Sequence, residues 1–214
     1  MDKNIVFDFD ETIGYFEQII EMIKYTKKNS KEDVLYFLKL FPFVFRTNIF
    51  DIFYYIVRLK KEKKINSVIL YSNNNNDVFI GYVLSFIHET LNYTLFDSTI
   101  SLNQTHNKNK NITDLLNYSN GLLNKNSSIF FIDDKEYDDV KNSKNCKYYI
   151  KCESYKYMYT YSIIDYIFTM NNISNYITHE KMQKTQIKKN KISQSIYEII
   201  SKEIINKLRI FVLF

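Results

Sequence analysis

Apolar residues follow two different periods along this chain, and each change of period marks a point where a strand gives way to a helix. Short runs of β-branched and aromatic residues predict buried strands, whereas apolar residues that recur every three or four positions predict helices. Strands are expected at 4–7, 65–71, about 95–102, 128–132 and, at an edge of the sheet, 147–151. Helical patterns fill the intervals, from 15 to about 27, 30–41, 48–60, from 78 onward and 112–123. This alternation predicts an α/β fold in which helices flank a mostly parallel, Rossmann-like sheet.

Two helical regions lie outside the regular alternation. The helices at 13–64 form a small elaboration between the first two strands, which is too short for a further full domain. After residue 160 a basic stretch precedes a last helical pattern that ends near Leu208. We therefore expect one domain at 1–160 and a basic helical extension at 161–214. Within 155–159 the tyrosines alternate as the side chains of an edge strand would.

Composition changes this picture mainly through charge. The chain has 214 residues, 45% of them hydrophobic, and a formal net charge of +5. Residues 1–107 carry 12 Lys and Arg against 13 Asp and Glu, whereas residues 108–214 carry 17 against 11. A solvated basic surface is the simpler interpretation of the second half, and a patch that binds nucleic acid or another anionic partner is the alternative.

Cysteine content and hydropathy bear on the compartment. The two cysteines, Cys146 and Cys152, have no histidine near them in sequence, so free thiols in a reducing compartment are expected. No signal-peptide pattern precedes the first strand, and no apolar run reaches the length of a membrane span. A soluble intracellular protein of the cytoplasm or nucleus, with no membrane contact, is therefore expected.

Polar side chains that can carry chemistry follow three of the predicted strands. Asp8 and Asp10 follow the first strand, Ser72 follows the second, and Asp133 with Asp134 follows the fourth. Because the carboxyl ends of parallel strands meet at one crevice, we expect these groups to lie together. Burying several carboxylates without a cation is costly, and Mg²⁺ is the usual ion for hard oxygen ligands. The sequence therefore indicates a magnesium site at this edge of the sheet.

The order of these residues resembles the four motifs of the haloacid dehalogenase superfamily of phosphotransferases. The matching segments cover about residues 3–160. They are an apolar strand followed by Asp8-Phe9-Asp10-Glu11-Thr12, a strand followed by Ser72, a lysine within 105–110, and a strand followed by Asp133-Asp134.

Two further residues resemble one branch of that superfamily, the carboxy-terminal-domain phosphatases and NLI-interacting-factor-like proteins. Glu11 matches the acidic position of the first motif, and Arg46 matches an Arg-Pro that precedes the helix leading to the second motif, although Thr47 stands in place of the proline. The segments 71–75 and 105–108 are similar to forms of the family found in large DNA viruses.

The resemblance implies a Mg²⁺-dependent phosphatase that forms an aspartyl-phosphate. It makes Asp8 the nucleophile and Asp10 the general acid and then the general base. The residues implied to contact the phosphoryl group are Thr12, Ser72 and Asn73. Those implied to hold Mg²⁺ are Asp8, Asp10 through its carbonyl oxygen, Asp133 and Asp134.

The lysine of the third motif has two candidates. Lys108 fits the local pattern of Thr and His before the lysine, and Lys110 fits the distance to the helix that begins at Ile112. The local pattern slightly favours Lys108, and both residues remain candidates for the catalytic cation.

The expected substrate class depends on whether the chain has space for a cap domain over the site. Between Ser72 and Lys108 there is space for one helix, one strand and a loop, so no large cap domain is expected over the site. An open cleft suits phosphate displayed on a macromolecule, and the resemblance implies the same, so a phosphoserine or phosphothreonine protein phosphatase is the first hypothesis. The alternatives are a phosphatase for nucleic-acid ends or small metabolites, and a catalytically weak interaction module with this fold.

Overall fold

A five-stranded parallel sheet forms the centre of the molecule in the computed structural model, which describes residues 2–173 and 194–213. The strands are β1 (Lys3–Phe7), β2 (Ser67–Tyr71), β3 (Ser98–Ile100), β4 (Ser128–Asp133) and β5 (Cys146–Lys151). Their order is β3-β2-β1-β4-β5, and every neighbouring pair is parallel. The predicted α/β fold class and the predicted edge position of β5 are therefore confirmed.

The central strands are apolar on both faces because helices cover both sides of the sheet. Successive side chains of β1 point to opposite faces, so that Ile5 and Phe7 join a larger hydrophobic cluster and Val6 joins a smaller one. In β4 the same alternation places Phe130 in the larger cluster and Phe131 in the smaller.

Four helices in the first half of the chain pack on the larger cluster. They are α1 (Glu17–Thr26), α2 (Lys31–Leu40), α3 (Ile49–Lys61) and α4 (Asp77–Leu91), with a 3-10 turn at Pro42–Val44 after α2. The start of α2 is fixed by a capping box, in which Asp33 N donates to Ser30 Oγ at 3.1 Å and Ser30 N donates to Asp33 Oδ2 at 3.3 Å. The predicted helical elaboration between β1 and β2 is thus present.

The remaining helices divide between the two faces. They are α5 (Leu102–Thr105), α6 (Ile112–Tyr118), α7 (Asp138–Lys141), α8 (Tyr161–Met170) and α9 (Gln194–Leu213). Leu115 of α6 and Val140 of α7 belong to the smaller cluster, whereas α8 and α9 pack on the larger one. α9 contacts α3 and β5 and buries Ile204, Leu208 and Phe211, so the described parts of the C-terminal region share the core of the sheet.

Two predicted element boundaries were wrong. β3 has only three residues instead of the eight expected, because Leu95 and Phe96 are buried in the loop before it and Leu102 already begins α5. The helix expected at 112–123 ends at Tyr118, and Gly121, with φ of +76°, lies in the turn that follows. In both cases buried apolar residues of the neighbouring loop continued the hydrophobic pattern, so the sequence predicted a longer strand or helix than the structure has.

The segment 155–159 is not a strand, contrary to the alternation of its tyrosines. Tyr155 and Tyr159 are buried, and their hydroxyl groups bind the backbone of Phe43: Tyr155 OH donates to the Phe43 carbonyl and Phe43 N donates to Tyr159 OH, both at 2.8 Å. The alternating burial therefore comes from packing against the 3-10 turn and not from strand pairing.

Among the helices of the described ranges, none combines the length and the apolarity that crossing a membrane requires. The basic stretch at 181–191 and the beginning of the last helical pattern lie outside the described residues.

The chain changes direction across the sheet beside β1. After β1 it proceeds to β2 and β3, and it then returns to form β4 on the other side of β1. Phe7 pairs with Leu70 of β2 and with Ile132 of β4, so the ends of the three strands are level. Such a switch point is where open α/β sheets bind ligands. The register therefore brings Asp8 and Asp133 side by side at this crevice.

Candidate active site

Lys110 joins Asp8, the first residue after β1, to Asp133 at the end of β4. Its Nζ donates to Asp8 Oδ1 at 2.5 Å and to Asp133 Oδ2 at 2.7 Å. The three residues are nearly inaccessible, with exposed fractions of 2%, 6% and 1% for Lys110, Asp8 and Asp133. Burial alone would lower the pKa of Lys110, but the charges and hydrogen bonds of the two carboxylates outweigh it and raise the pKa. The two carboxylates therefore favour the ammonium form of Lys110.

Aromatic rings enclose this ammonium group. Its Nζ lies 5.5 Å from the ring centre of Tyr71 and 5.5 Å from that of Tyr137. A cation at this distance from a ring face is attracted by the ring, and the rings also keep water away. The position of Lys110 is thus fixed by packing as well as by charge.

Asp134 adds a third carboxylate to the cluster. One carboxylate oxygen of each of Asp8, Asp133 and Asp134 lies within 4.8 Å of those of the other two. The Asp134 N donates to Thr12 Oγ1 at 2.9 Å, and Ser154 Oγ donates to Asp134 Oδ2 at 2.7 Å. Both the main chain and the side chain of Asp134 are therefore held.

The cluster carries more negative than positive charge. Burial and then the charge of Asp8 raise the pKa of Asp133 to about 7, and burial raises the pKa of Asp134. Such shifts mean that three buried carboxylates are only partly balanced by one ammonium group. A divalent cation with hard oxygen ligands would supply the missing positive charge, so the residues fit a metal ion.

Asp10 is not one of the three clustered aspartates. Its side chain is exposed and accepts hydrogen bonds from Asn74 Nδ2 at 3.0 and 3.3 Å. Neighbouring protein atoms nevertheless displace water from it and raise its pKa to about 6, against the opposing effect of the Asn74 hydrogen bond. A carboxyl group that titrates near neutrality can both give and take a proton.

The residues after β2 connect Asp10 to the loop that carries the lysines. Ser72 is buried, and its Oγ accepts a hydrogen bond from Asn74 N at 3.0 Å. Asn73 Nδ2 donates to the Lys108 carbonyl at 2.8 Å and to Tyr137 OH at 3.0 Å. Ser72 and Asn73 therefore contact Asn74 and the backbone of Lys108, whereas Thr12 is buried and its hydroxyl accepts a hydrogen bond from the Asp134 backbone.

The two candidate lysines occupy different environments. Lys110 lies within the carboxylate cluster, and the side chain of Lys108 is exposed. The local sequence pattern slightly favours Lys108, but the geometry brings Lys110 to Asp8. Asn109, the one residue between the two lysines, donates from its backbone N to Asn107 Oδ1 at 2.9 Å, a contact that spacing alone does not reveal.

Arg46 holds the segment after β1 through hydrogen bonds to its backbone. The guanidinium group is buried and donates to the carbonyls of Thr12, Glu11 and Glu153, at 2.6, 2.7 and 2.6 Å. Glu11 has φ of +60°, in the left-handed region that a glutamate rarely adopts. Arg46 therefore stabilises an unfavourable backbone conformation between Asp10 and Thr12.

Other residues of the site have little or no signal in the sequence. Asn74 belongs to a polar turn whose role is not apparent from its composition, and Tyr137 and Ser154 are isolated residues of common types. Gly14 is one of only three glycines in the chain, and a Cβ there would lie 2.4 Å from the Val44 carbonyl oxygen. Its rarity is the one signal that could have identified it.

Comparisons of this chain with protein-family models, with curated proteins and with solved structures return no match. A parallel α/β architecture supports many unrelated chemistries, so the fold by itself does not identify a function. The features of this chain that bear on its function are the geometry of the carboxylate cluster and the environment of Asp10.

Proposed function

We propose that this protein is a Mg²⁺-dependent phosphatase that works through an aspartyl-phosphate, as members of the haloacid dehalogenase superfamily do. The observation that carries the proposal is the buried Lys110 ammonium between Asp8 and Asp133, with Asp134 beside them and Asp10 two residues after Asp8. Phosphoryl transfer needs a positioned nucleophile, a proton donor and balanced charge on the phosphoryl oxygens. The four aspartates and Lys110 can supply these three requirements.

Asp8 is the nucleophile in this proposal. Lys110 contacts Oδ1, and no hydrogen bond from residues 2–173 or 194–213 reaches Oδ2. Oδ2 attacks the phosphorus atom in line with the leaving oxygen, so that the new O–P bond forms as the bond to the leaving group breaks. Lys110 holds the carboxylate in place and compensates the added charge of the phosphoryl group.

Asp10 moves the proton. In its protonated form it gives a proton to the leaving alkoxide, and as a carboxylate it then takes a proton from the water that hydrolyses the aspartyl-phosphate. Its pKa of about 6 suits both steps near neutral pH. Asn74 orients its side chain, and Ser72 orients Asn74.

The proposed metal site consists of Asp8, Asp133 and Asp134, with the carbonyl of Asp10 as a further candidate ligand. When bound, Mg²⁺ would neutralise the repulsion between the carboxylates and a phosphate dianion. Mg²⁺ is proposed over softer metals because carboxylate oxygens are hard ligands.

A phosphorylated protein is the first substrate class. Asp10 is exposed, and the chain between Ser72 and Lys110 forms only α4, β3 and α5, so no additional domain of this segment covers the crevice. A phosphoserine or phosphothreonine on a protein surface could therefore approach Asp8 more easily than in a capped site.

The decisive experiment is turnover of an aryl phosphate by the purified protein with Mg²⁺. Asp8→Asn is expected to lower kcat by roughly 10³-fold or more, because it removes the nucleophile. Asp138→Asn, which neutralises an exposed aspartate in the first turn of α7, is the matched control and should keep wild-type activity. Full activity of Asp8→Asn would contradict the proposal.

The substrate class needs a separate comparison. The wild-type protein should hydrolyse a phosphoserine peptide faster than a 3′-phosphorylated oligonucleotide of equal concentration. The opposite ranking would favour the nucleic-acid alternative, in which the basic second half of the chain holds the substrate.

A further inference from the structure

Ser154 connects the carboxylate cluster to the last helix of the chain. Its Oγ donates to Asp134 Oδ2 at 2.7 Å, and its carbonyl oxygen accepts a hydrogen bond from Tyr197 OH at 3.0 Å. The same Tyr197 oxygen accepts a hydrogen bond from Lys156 N at 3.4 Å. A tyrosine of α9 therefore binds both sides of the segment that carries the Asp134 partner.

Tyr197 is itself held firmly. It is 2% exposed, and its ring packs edge to face against Tyr155, with ring centres 4.7 Å apart. The Arg46 guanidinium lies 5.6 Å from the ring centres of both tyrosines. Because Arg46 also binds the carbonyls of Thr12 and Glu153, the two loops beside the cluster share one buried support.

α9 is anchored at a second point, the residue after Arg46, by a hydrogen bond that involves no residue of the cluster. Ser201, which is 1% exposed, donates from Oγ to the Thr47 carbonyl at 2.6 Å. This bond is similar in type to the one that Ser154 makes, since each is a short hydrogen bond from a serine hydroxyl. It holds the helix against the region before α3 and has no direct contact with Asp134.

We infer that α9 is part of the metal centre, with Ser154 and Tyr197 as positioning residues for the Asp134 carboxylate. This inference rests on the proposed function, because it assumes that Asp134 helps to hold a divalent cation. Ser154 fixes the rotation of the carboxylate, while the Thr12 hydroxyl independently fixes the Asp134 backbone. Tyr197 acts one step further away, by fixing the Ser154 backbone.

This arrangement predicts different effects for the three hydroxyl groups. Loss of the Ser154 hydroxyl leaves the Asp134 backbone in place but releases its carboxylate. Hydrogen bonds to ligating carboxylates typically change metal affinity by about 10-fold to 100-fold. Loss of the Tyr197 hydroxyl should weaken the metal in the same direction but less, and loss of the Ser201 hydroxyl should leave metal affinity unchanged.

The test is calorimetric titration of the 214-residue chain with Mn²⁺, which accepts the same oxygen ligands and serves as the probe. We expect Ser154→Ala to weaken Mn²⁺ binding by about 10-fold or more, Tyr197→Phe to weaken it less, and Ser201→Ala to match the wild type. Ser154→Thr, which keeps the hydroxyl, should restore most of the affinity. Denaturant unfolding of each variant accompanies the titrations, so that loss of stability is measured separately from loss of affinity.

The outcomes separate this inference from the proposed function. A wild-type protein that binds no divalent cation would overturn both. Normal binding by the wild type, with equal affinity for Ser154→Ala, would overturn the inference alone. If Ser154→Ala and Ser201→Ala lost similar amounts of stability and neither lost Mn²⁺ affinity, α9 would have a purely structural role and the inference would be overturned. If Ser154→Ala does not fold, the Mn²⁺ affinity of Tyr197→Phe decides instead: unchanged affinity would overturn the inference.

Discussion

The burial of Lys110 determines the electrostatics of the site at the scale of single residues. An ammonium group with almost no contact with water is stable only because Asp8 and Asp133 accept its hydrogen bonds. The dependence is mutual, since without Lys110 the carboxylates would be left buried and unpaired. The same residue thus contributes to stability and, in the proposed mechanism, to catalysis.

Replacing each candidate lysine by Met should change the free energy of unfolding by very different amounts in metal-free buffer. Lys110→Met is expected to lower the free energy of unfolding by about 3–5 kcal/mol, because it breaks a buried ion pair from one side. Lys108→Met should change it by less than about 0.5 kcal/mol, because the side chain is exposed and its carbonyl contact is kept. Urea unfolding measures both values, and equal stability of the two variants would contradict this role of Lys110.

At the scale of elements, the loop between β1 and α1 is shaped by close backbone contacts. Gly14 forms isolated bridges with Asp10 and Phe45, and its carbonyl accepts a hydrogen bond from Glu11 N at 2.7 Å. The Val44 carbonyl approaches so closely that a side chain at position 14 has no space. The loop that carries Asp10 can therefore turn back on itself only with glycine at this position.

The chain offers a matched pair of glycines to test this. A Cβ at position 14 would lie 2.4 Å from the Val44 oxygen, whereas a Cβ at Gly81, inside α4, meets no atom within 4 Å. Gly14→Ala should therefore destabilise the protein by about 1–3 kcal/mol. Gly81→Ala should stabilise it by about 0.5–1 kcal/mol, because alanine is the better helix former. Thermal unfolding distinguishes the two, and a neutral Gly14→Ala would show that the loop has room to move.

At the scale of the whole molecule, the sheet order brings together groups from distant parts of the chain. β1 and β4 are neighbours in the sheet, and α9 packs on the larger hydrophobic cluster and contacts β5. The carboxylate cluster joins the ends of β1 and β4, and Ser154 connects it to α9, so a cation bound there would link these parts. Binding of the cation and folding should consequently be coupled.

Mg²⁺ is expected to raise the unfolding temperature of the wild-type protein. At a concentration about 100 times the Kd, a ligand of the folded state adds about 2.7 kcal/mol to the free energy of unfolding. Asp133→Asn should abolish this increase, since it removes a proposed ligand, while Asp138→Asn should keep it. Calorimetric scans with Mg²⁺, and with NaCl at the same ionic strength, measure the effect. If Mg²⁺ still raised the unfolding temperature of Asp133→Asn, the cation would bind at a different site.

Much of the fold could be predicted because strand and helix periods are local properties. The strands at 4–7, 65–71 and 128–132 and the helix after Ser30 needed only neighbouring residues for their identification. The prediction failed where tertiary packing replaced the period, as in the buried loop before β3 and in the tyrosine segment at 155–159.

The same distinction applies to the site. The sequence alone determined that Asp8, Asp133 and Asp134 follow strands of one parallel sheet, and strand order then implies that they converge. Only the tertiary structure decided that Lys110 and not Lys108 reaches Asp8, across 102 residues of sequence, and that Ser154 and Tyr197 support Asp134. The physical reason is that backbone periodicity records which face of an element is buried, whereas a side-chain hydrogen bond depends on where distant segments pack.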